Sequence, residues 1–229
     1  MDRNFEATAL FEVMDHAERY NRHLLDEVLA FAGPSRSVLD FGSGSGRLAC
    51  ALAARDFDVT GVEPDPGLRA LLADRGIASV ATLEQLAGRR FDYAVSLNVL
   101  EHCPDDAAIA RALHERLTPN GRCLVYVPAF ALLWTANDTL VGHQRRYTRR
   151  GLRDLFRDAD FVIDEVRYVD SLGFLAALAF RAIGSADGTI TPRAVRLYDR
   201  LLFPASRRFD RVLHRVVGKN LLLRARRDR

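Results

Sequence analysis

Apolar positions along the chain change their period repeatedly, and the changes mark out alternating helices and strands. Over residues 5–31 apolar side chains, among them Leu10, Met14, Ala17, Leu24, Leu25 and Val28, recur at helical spacing until Gly33-Pro34 interrupts them. That pattern predicts a helix or helix pair ahead of the first strand. A short apolar run over 38–41 breaks into glycines, and residues 48–54 resume the helical period. Residues 59–62, 78–80, 91–97 and 123–127 read as further strands, and the near-continuous apolar run at 91–97 suits a sheet covered on both faces. Between them, Pro66 opens a helix over 67–74, and Pro104-Asp105-Asp106 opens another over 107–117, with acidic side chains favourably placed at its N-terminus. Strands and helices alternating at this rhythm predict an α/β fold with a doubly wound, Rossmann-like, mostly parallel sheet.

The last third departs from plain alternation. Residues 149–160 read as a helix, 162–169 as a strand, and 221–225 as a last edge strand inserted beside it, making seven strands in all. Between these two strands the chain makes an excursion over residues 171–219. Its first half, 172–183, is apolar nearly all round. Its second half carries Val195, Tyr198, Leu201 and Leu202 on one stripe before Pro204, and Phe209, Val212, Leu213 and Val216 on another after it, with arginines between. The expected organisation is one domain over 1–229: an N-terminal helical cover at 1–34, a cofactor-binding core at 35–170, a helical lid at 171–217, and a last strand and tail at 218–229.

Composition narrows the class. With 229 residues and 48% hydrophobic content, the chain can bury one substantial core. Cys50, Cys103 and Cys123 show no paired metal spacing and read as reduced, which suits a cytoplasmic protein. No run approaches the length of a bilayer span, and residues 1–9 lack the order of a secretory signal. The net charge of +3 hides an asymmetry, since residues 192–229 hold twelve Arg or Lys against three Asp. That basic end is either a solvated face or a surface for anionic lipid or substrate. No aromatic-interleaved basic groove is present, so nucleic acid is not an expected partner.

The candidate chemistry begins at Asp40-Phe41-Gly42-Ser43-Gly44-Ser45-Gly46, where a strand hands its ligand to a glycine turn. Arg47 stands where a dinucleotide fingerprint wants its third glycine, which disfavours a dehydrogenase. Glu63, after the second strand, is positioned to accept two ribose hydroxyls, and Asn98 ends the fourth strand on the same rim as Asp40. A second constellation is Gly142-His143-Gln144-Arg145-Arg146-Tyr147, preceded by Trp134 and Asp138. His143 can accept a hydroxyl proton, Asp138 can hold its tautomer, and arginine forks bind carboxylate or phosphate. Alternatively, Arg145 and Arg146 pin this segment to acidic helices and His143 packs beneath it.

Taken with Tyr20-Asn21-Arg22, Asn98-Val99-Leu100-Glu101-His102, Val127-Pro128-Ala129 and Gly218-Lys219-Asn220-Leu221, these motifs resemble the class I S-adenosylmethionine-dependent methyltransferases. They are most similar to bacterial ubiquinone-biosynthesis-type O-methyltransferases. The resemblance implies S-adenosylmethionine as cofactor, held by Tyr20, Asp40, Gly42, Gly44, Gly46, Glu63, Thr82, Leu83 and Asn98. It also implies methyl transfer, with His143 and His102 as candidate catalytic groups and Trp134, Arg145, Arg146 and Tyr147 beside the acceptor. His102 reads equally as a structural hydrogen-bonding group. In some relatives the Leu-Glu-His region contributes to divalent metal binding, but two adjacent candidates do not make a site, and no metal is assigned. The acceptor is expected to be a small or lipid-like, anionic metabolite methylated on oxygen. Nitrogen transfer and a non-catalytic cofactor-binding regulator are the rivals. The excursion at 172–217 is expected to meet acceptor, a second copy in a homodimer, or the inner face of a membrane.

Overall fold

The computed structural model describes residues 16–183 and 192–228. Positions 5–15 of the expected N-terminal helix or helix pair, and 184–191 of the excursion, lie outside them. Helix α1 (Glu18–Ala32) follows, then β1 (Ser37–Phe41), α2 (Arg47–Ala53), β2 (Asp58–Val62), α3 (Pro66–Asp74), β3 (Ala78–Val80) and β4 (Phe91–Leu97). After these come α4 (Asp106–Glu115), β5 (Leu117–Pro128), the short α5 (Ala136–Leu140), α6 (Arg149–Arg157) and β6 (Phe161–Val169). The excursion comprises α7 (Ser171–Ile183), α8 (Pro192–Leu197), a π-helical turn (Tyr198–Leu202) and α9 (Phe203–Leu213), and β7 (Asn220–Arg227) follows it.

The seven strands form one sheet in the order β3-β2-β1-β4-β5-β7-β6. β1 pairs in parallel with both β2 and β4, and β7 runs antiparallel to both its neighbours. Because successive side chains point to opposite faces, each strand feeds two cores. Leu39, Ala94 and Leu223 pack on the face that holds Leu113 and Phe156, whereas Val38, Tyr93 and Leu222 pack on the other with Val28, Leu52 and Leu72. The order reverses between β1 and β4, and the crevice at the carboxyl ends of these strands is where such sheets take ligands.

One expectation is corrected. β7 is not an edge strand: it lies between β5 and β6, and β6 is the edge. Leu221, Leu222 and Leu223 are all fully buried, as an interior strand with both faces covered requires. The excursion also differs in a telling way. Its buried positions include Asp199, Ser206 and Asp210, while Leu201, Phe209, Val212 and Val216 are exposed.

Candidate active site

β1 ends at the glycine turn, whose geometry depends on residues that lack a side chain. At Gly42 φ is +81°, and a Cβ there would sit 2.2 Å from Val99 Cγ2. At Gly44, by contrast, a Cβ would meet nothing within 4 Å, so the turn faces open space at this point. Gly46 ends the turn as the N-cap of α2. The Gly42 and Ser43 amides donate to Val62 O at 2.8 and 3.2 Å, tying the turn to β2. Glu63 reinforces the tie. One of its carboxylate oxygens accepts from Gly44 N at 2.8 Å and the other from Asp65 N at 3.0 Å.

Asp40 lies beneath the turn, 3% exposed, and its Oδ2 has no hydrogen-bond partner. Burial pushes its carboxyl up to about 7; the Ser43 hydroxyl pulls the other way, and the Glu63 charge adds to the rise. Asn98 ends β4 with φ +55° and donates its amide to Tyr126 O at 2.8 Å. Tyr20, on α1, packs edge-on against Tyr126 with ring centroids 6.1 Å apart, which brings the helical cover to this rim. Burial raises its hydroxyl to about 12. Thr82 is exposed and caps a single 3-10 turn (Leu83–Leu86), while Leu83 is buried.

The second constellation gathers beyond β4 and β5. A 3-10 turn (Leu100–His102) follows β4 and carries Glu101 and His102; the loop after α5 brings His143 against them. The His102 and His143 rings meet edge to face at 4.7 Å. His143 Nδ1 lies 2.7 Å from Asp138 Oδ1, and Nε2 lies 3.9 Å from Glu101 Oε1. Asp138 is 1% exposed, and it also accepts from Thr135 N at 2.8 Å and from Arg146 Nε and Nη2 at 2.7 and 3.0 Å. Burial works against its charge, but the hydrogen bonds from His143, Arg146 and Thr135 prevail and hold the carboxyl well below the usual range.

Glu101 is the opposite case. It is 1% exposed, neither oxygen has a hydrogen-bond partner, and burial pushes its carboxyl up to about 8. Burial, aided by the His143 neighbour, lowers His102 to about 4, so its imidazole is neutral near pH 7. Glu101, His102 and His143 each offer a ligand atom within 4.8 Å of the others, a three-ligand set that could take a divalent cation.

The expected acceptor residues divide. Trp134 stays beside His143, ring centroids 6.4 Å apart, and donates Nε1–H to Thr139 Oγ1. Arg146 is bound bidentately by Asp138, and Arg145 contacts Asp106 Oδ1 at 2.7 Å and Pro104 O at 2.6 Å. Tyr147 is buried and donates to Asp106 Oδ2 at 2.8 Å. Both arginine forks are thus occupied by acceptors of the protein itself, Arg146 by a carboxylate and Arg145 by a carboxylate and a backbone carbonyl, as the pinning alternative anticipates. Asp106 escaped sequence reasoning except as a helix-opening acid, and its link to Arg145 and Tyr147 spans some forty residues. The burial of Glu101 without a hydrogen bond to its carboxylate has no sequence signal of its own.

With this geometry established, comparison identifies the family. A sequence model described as a methyltransferase domain matches residues 14–166, and the chain belongs to that family. The ubiquinone biosynthesis O-methyltransferase of Pseudomonas aeruginosa is 36% identical over 108 residues, covering 43% of this chain and 46% of that protein. The chain therefore matches about half the length of this curated relative. Among solved structures, a methyltransferase of Thermotoga maritima described as a possible histamine N-methyltransferase superposes with a TM-score of 0.65 at 16% identity, covering 96% of this chain and 95% of that one. A geranyl diphosphate C-methyltransferase of Streptomyces coelicolor, solved with S-adenosylhomocysteine, gives 0.64 at 16% identity, covering 92% and 80%. The fold is that of class I methyltransferases, and S-adenosylmethionine is the cofactor of this class. The crevice fits such a group: the turn opens at Gly44, and beneath it a buried acid keeps an unpartnered oxygen.

Proposed function

We propose that this chain transfers the methyl group of S-adenosylmethionine to a hydroxyl oxygen of a small or lipid-like acceptor, with His143 as general base. The observation that carries the reading is the 2.7 Å contact between His143 Nδ1 and Asp138 Oδ1. Asp138 is held ionised, so Nδ1 keeps its proton and donates it, leaving the Nε2 lone pair free to accept. When bound, S-adenosylmethionine supplies an electrophilic methyl group on a sulfonium. A protonated hydroxyl is a poor nucleophile; Nε2 takes its proton as the oxygen–carbon bond forms and the methyl carbon–sulfur bond breaks, leaving S-adenosylhomocysteine, and Asp138 steadies the resulting imidazolium. Asp40, Glu63, Asn98, Tyr20 and the turn from Gly42 to Gly46 are assigned to hold the cofactor, with Thr82 and Leu83 beside the adenine. Trp134 is assigned as one wall of the acceptor site.

Because Arg145 and Arg146 are already paired, an acceptor recognised by its hydroxyl and its apolar body is favoured over one recognised by a carboxylate. The likeness to an O-methyltransferase over 108 residues leans the same way. The test is turnover of methyl-labelled S-adenosylmethionine with phenol, amine and carboxylate acceptors. Label is expected on oxygen, and His143→Gln is expected to lower kcat by about 100-fold or more while leaving cofactor affinity within about twofold. Label on nitrogen, or an undiminished rate in the variant, contradicts the proposal.

A second reading is favoured by the cluster of Glu101, His102 and His143, in which a divalent cation holds the acceptor oxygen. Turnover lost on chelation and restored by manganese or zinc would select it.

A further inference from the structure

The stretch 192–216 presents an unusual surface. Of the eleven large apolar side chains exposed among the described residues, six lie here: Leu197, Leu201, Leu202, Phe209, Val212 and Val216, the last two 78% and 69% exposed. They face outward because the inward side is taken. Asp199 accepts from the first-turn amides of α1, Arg19 N at 3.0 Å and Tyr20 N at 2.9 Å. Asp210 accepts from Asp170 N and Ser171 N, both at 2.8 Å, at the start of α7, where Ser206 Oγ also accepts from Leu172 N at 2.9 Å. The polar side of this helical stretch thus caps two other helices, and its apolar row is left toward solvent.

Position on the helix arranges what remains. Phe209 and Val212 stand three apart on one side of α9, with Leu202 in the π-helical turn before the helix and Val216 in the turn after it. Arg208 borders that pair on α9, Arg207 and Arg211, four apart, share the side farther round, and Arg200 and Arg215 lie just before and just after the helix. All seven arginines of the stretch are exposed, while both of its acids, Asp199 and Asp210, are buried. The exposed charge is therefore of one sign. Pairing this face with the same face of a second copy would set arginines against arginines, which disfavours a symmetric dimer here.

We propose that this face docks the protein on an anionic bilayer, with the row around Phe209 and Val212 entering the boundary between headgroups and acyl chains and the bordering arginines meeting lipid phosphates. Among the described residues no helix is long and apolar enough to cross a membrane, so the contact is peripheral. This inference does not depend on which atom is methylated.

The test is co-sedimentation of the full chain with vesicles of phosphatidylcholine alone and of phosphatidylcholine with about 30% phosphatidylglycerol, at physiological salt. Binding is expected only to the anionic vesicles. Phe209→Ser with Val212→Ser is expected to weaken it at least about tenfold, as is Arg208→Gln with Arg211→Gln and Arg215→Gln. All of these positions are exposed, and an unchanged circular dichroism spectrum and melting temperature verify the fold. Removing three exposed arginines elsewhere, Arg36→Gln, Arg55→Gln and Arg150→Gln, is expected to change binding less than about threefold. No binding to anionic vesicles, equal loss in the control variant, or a dimer that the Phe209→Ser, Val212→Ser variant disperses would each overturn the proposal.

Discussion

At the residue scale, the two ends of the site place carboxyl groups in contrasting surroundings. Asp138 receives hydrogen bonds from three residues and stays charged, whereas Asp40 is buried with one unpartnered oxygen and is raised to about 7. The sign of its effect on stability follows. Folded Asp40 holds its proton at a pH where the unfolded chain has lost it, so Asp40 makes stability fall as pH rises from about 4 and stop falling above about 8. The acids held low, Asp138 and Asp92, complete their titration below this range; Glu101, raised to about 8, adds a fall of its own, and histidines lowered by burial add a smaller rise that fades above about pH 7. Between pH 6.5 and 8 Asp40 is expected to contribute a loss on the order of 1 kcal/mol in the cofactor-free protein, and Asp40→Asn to remove that share while the share of Glu101 remains. Denaturant unfolding at the two pH values checks it, and an identical slope in the variant contradicts it. The sequence marked Asp40, Glu63 and His143 as chemical positions because a strand, a glycine turn and a histidine beside an acid are local patterns. It left the fate of Arg145 and Arg146 open, because their partners depend on where α4 and α5 come to rest.

At the element scale, capping runs between segments far apart in the chain. The N-cap position of α1 is Ala17, which has no capping side chain, and Asp199 supplies the missing acceptor from about 180 residues away. Removing it as Asp199→Ala should cost about 1–3 kcal/mol and speed hydrogen exchange at the Arg19 and Tyr20 amides, while the central strands stay protected. Unaltered exchange at those amides would refute the capping assignment. This dependence explains what periodicity could not reveal about the excursion. The stripe of Phe209, Val212 and Val216 was legible, but a stripe does not say whether it faces core or solvent, and the buried side was decided by Asp199, Ser206 and Asp210. The strands were more legible because glycine, acidic or proline breaks end β1 at Gly42, β2 at Glu63-Pro64 and β5 at Pro128. β7 was misplaced at the edge, although the unbroken Leu221-Leu222-Leu223 run is what an interior strand needs.

At the scale of the molecule, the sheet reversal between β1 and β4 sets the glycine turn beside the segment carrying Asn98, Glu101 and His102, and the loops after β5 bring Asp138, His143 and Trp134 to the same rim. α1 reaches this rim through Tyr20 and is held at its start by the excursion, so the helical cover and the basic, apolar face are mechanically linked. The alternation of strands and helices made the architecture readable from sequence. The proposed acceptor site was not readable, because its residues come from loops after two separate strands, β4 and β5. The most direct test of the account is calorimetric titration of S-adenosylmethionine into the full chain, alongside NAD and alongside Glu63→Ala. The account predicts saturable binding of S-adenosylmethionine, none of NAD, and a loss of about 1–3 kcal/mol in the variant, which gives up charge-assisted hydrogen bonds at the turn. Binding of NAD in preference, or S-adenosylmethionine affinity unchanged by the loss of Glu63, would contradict it.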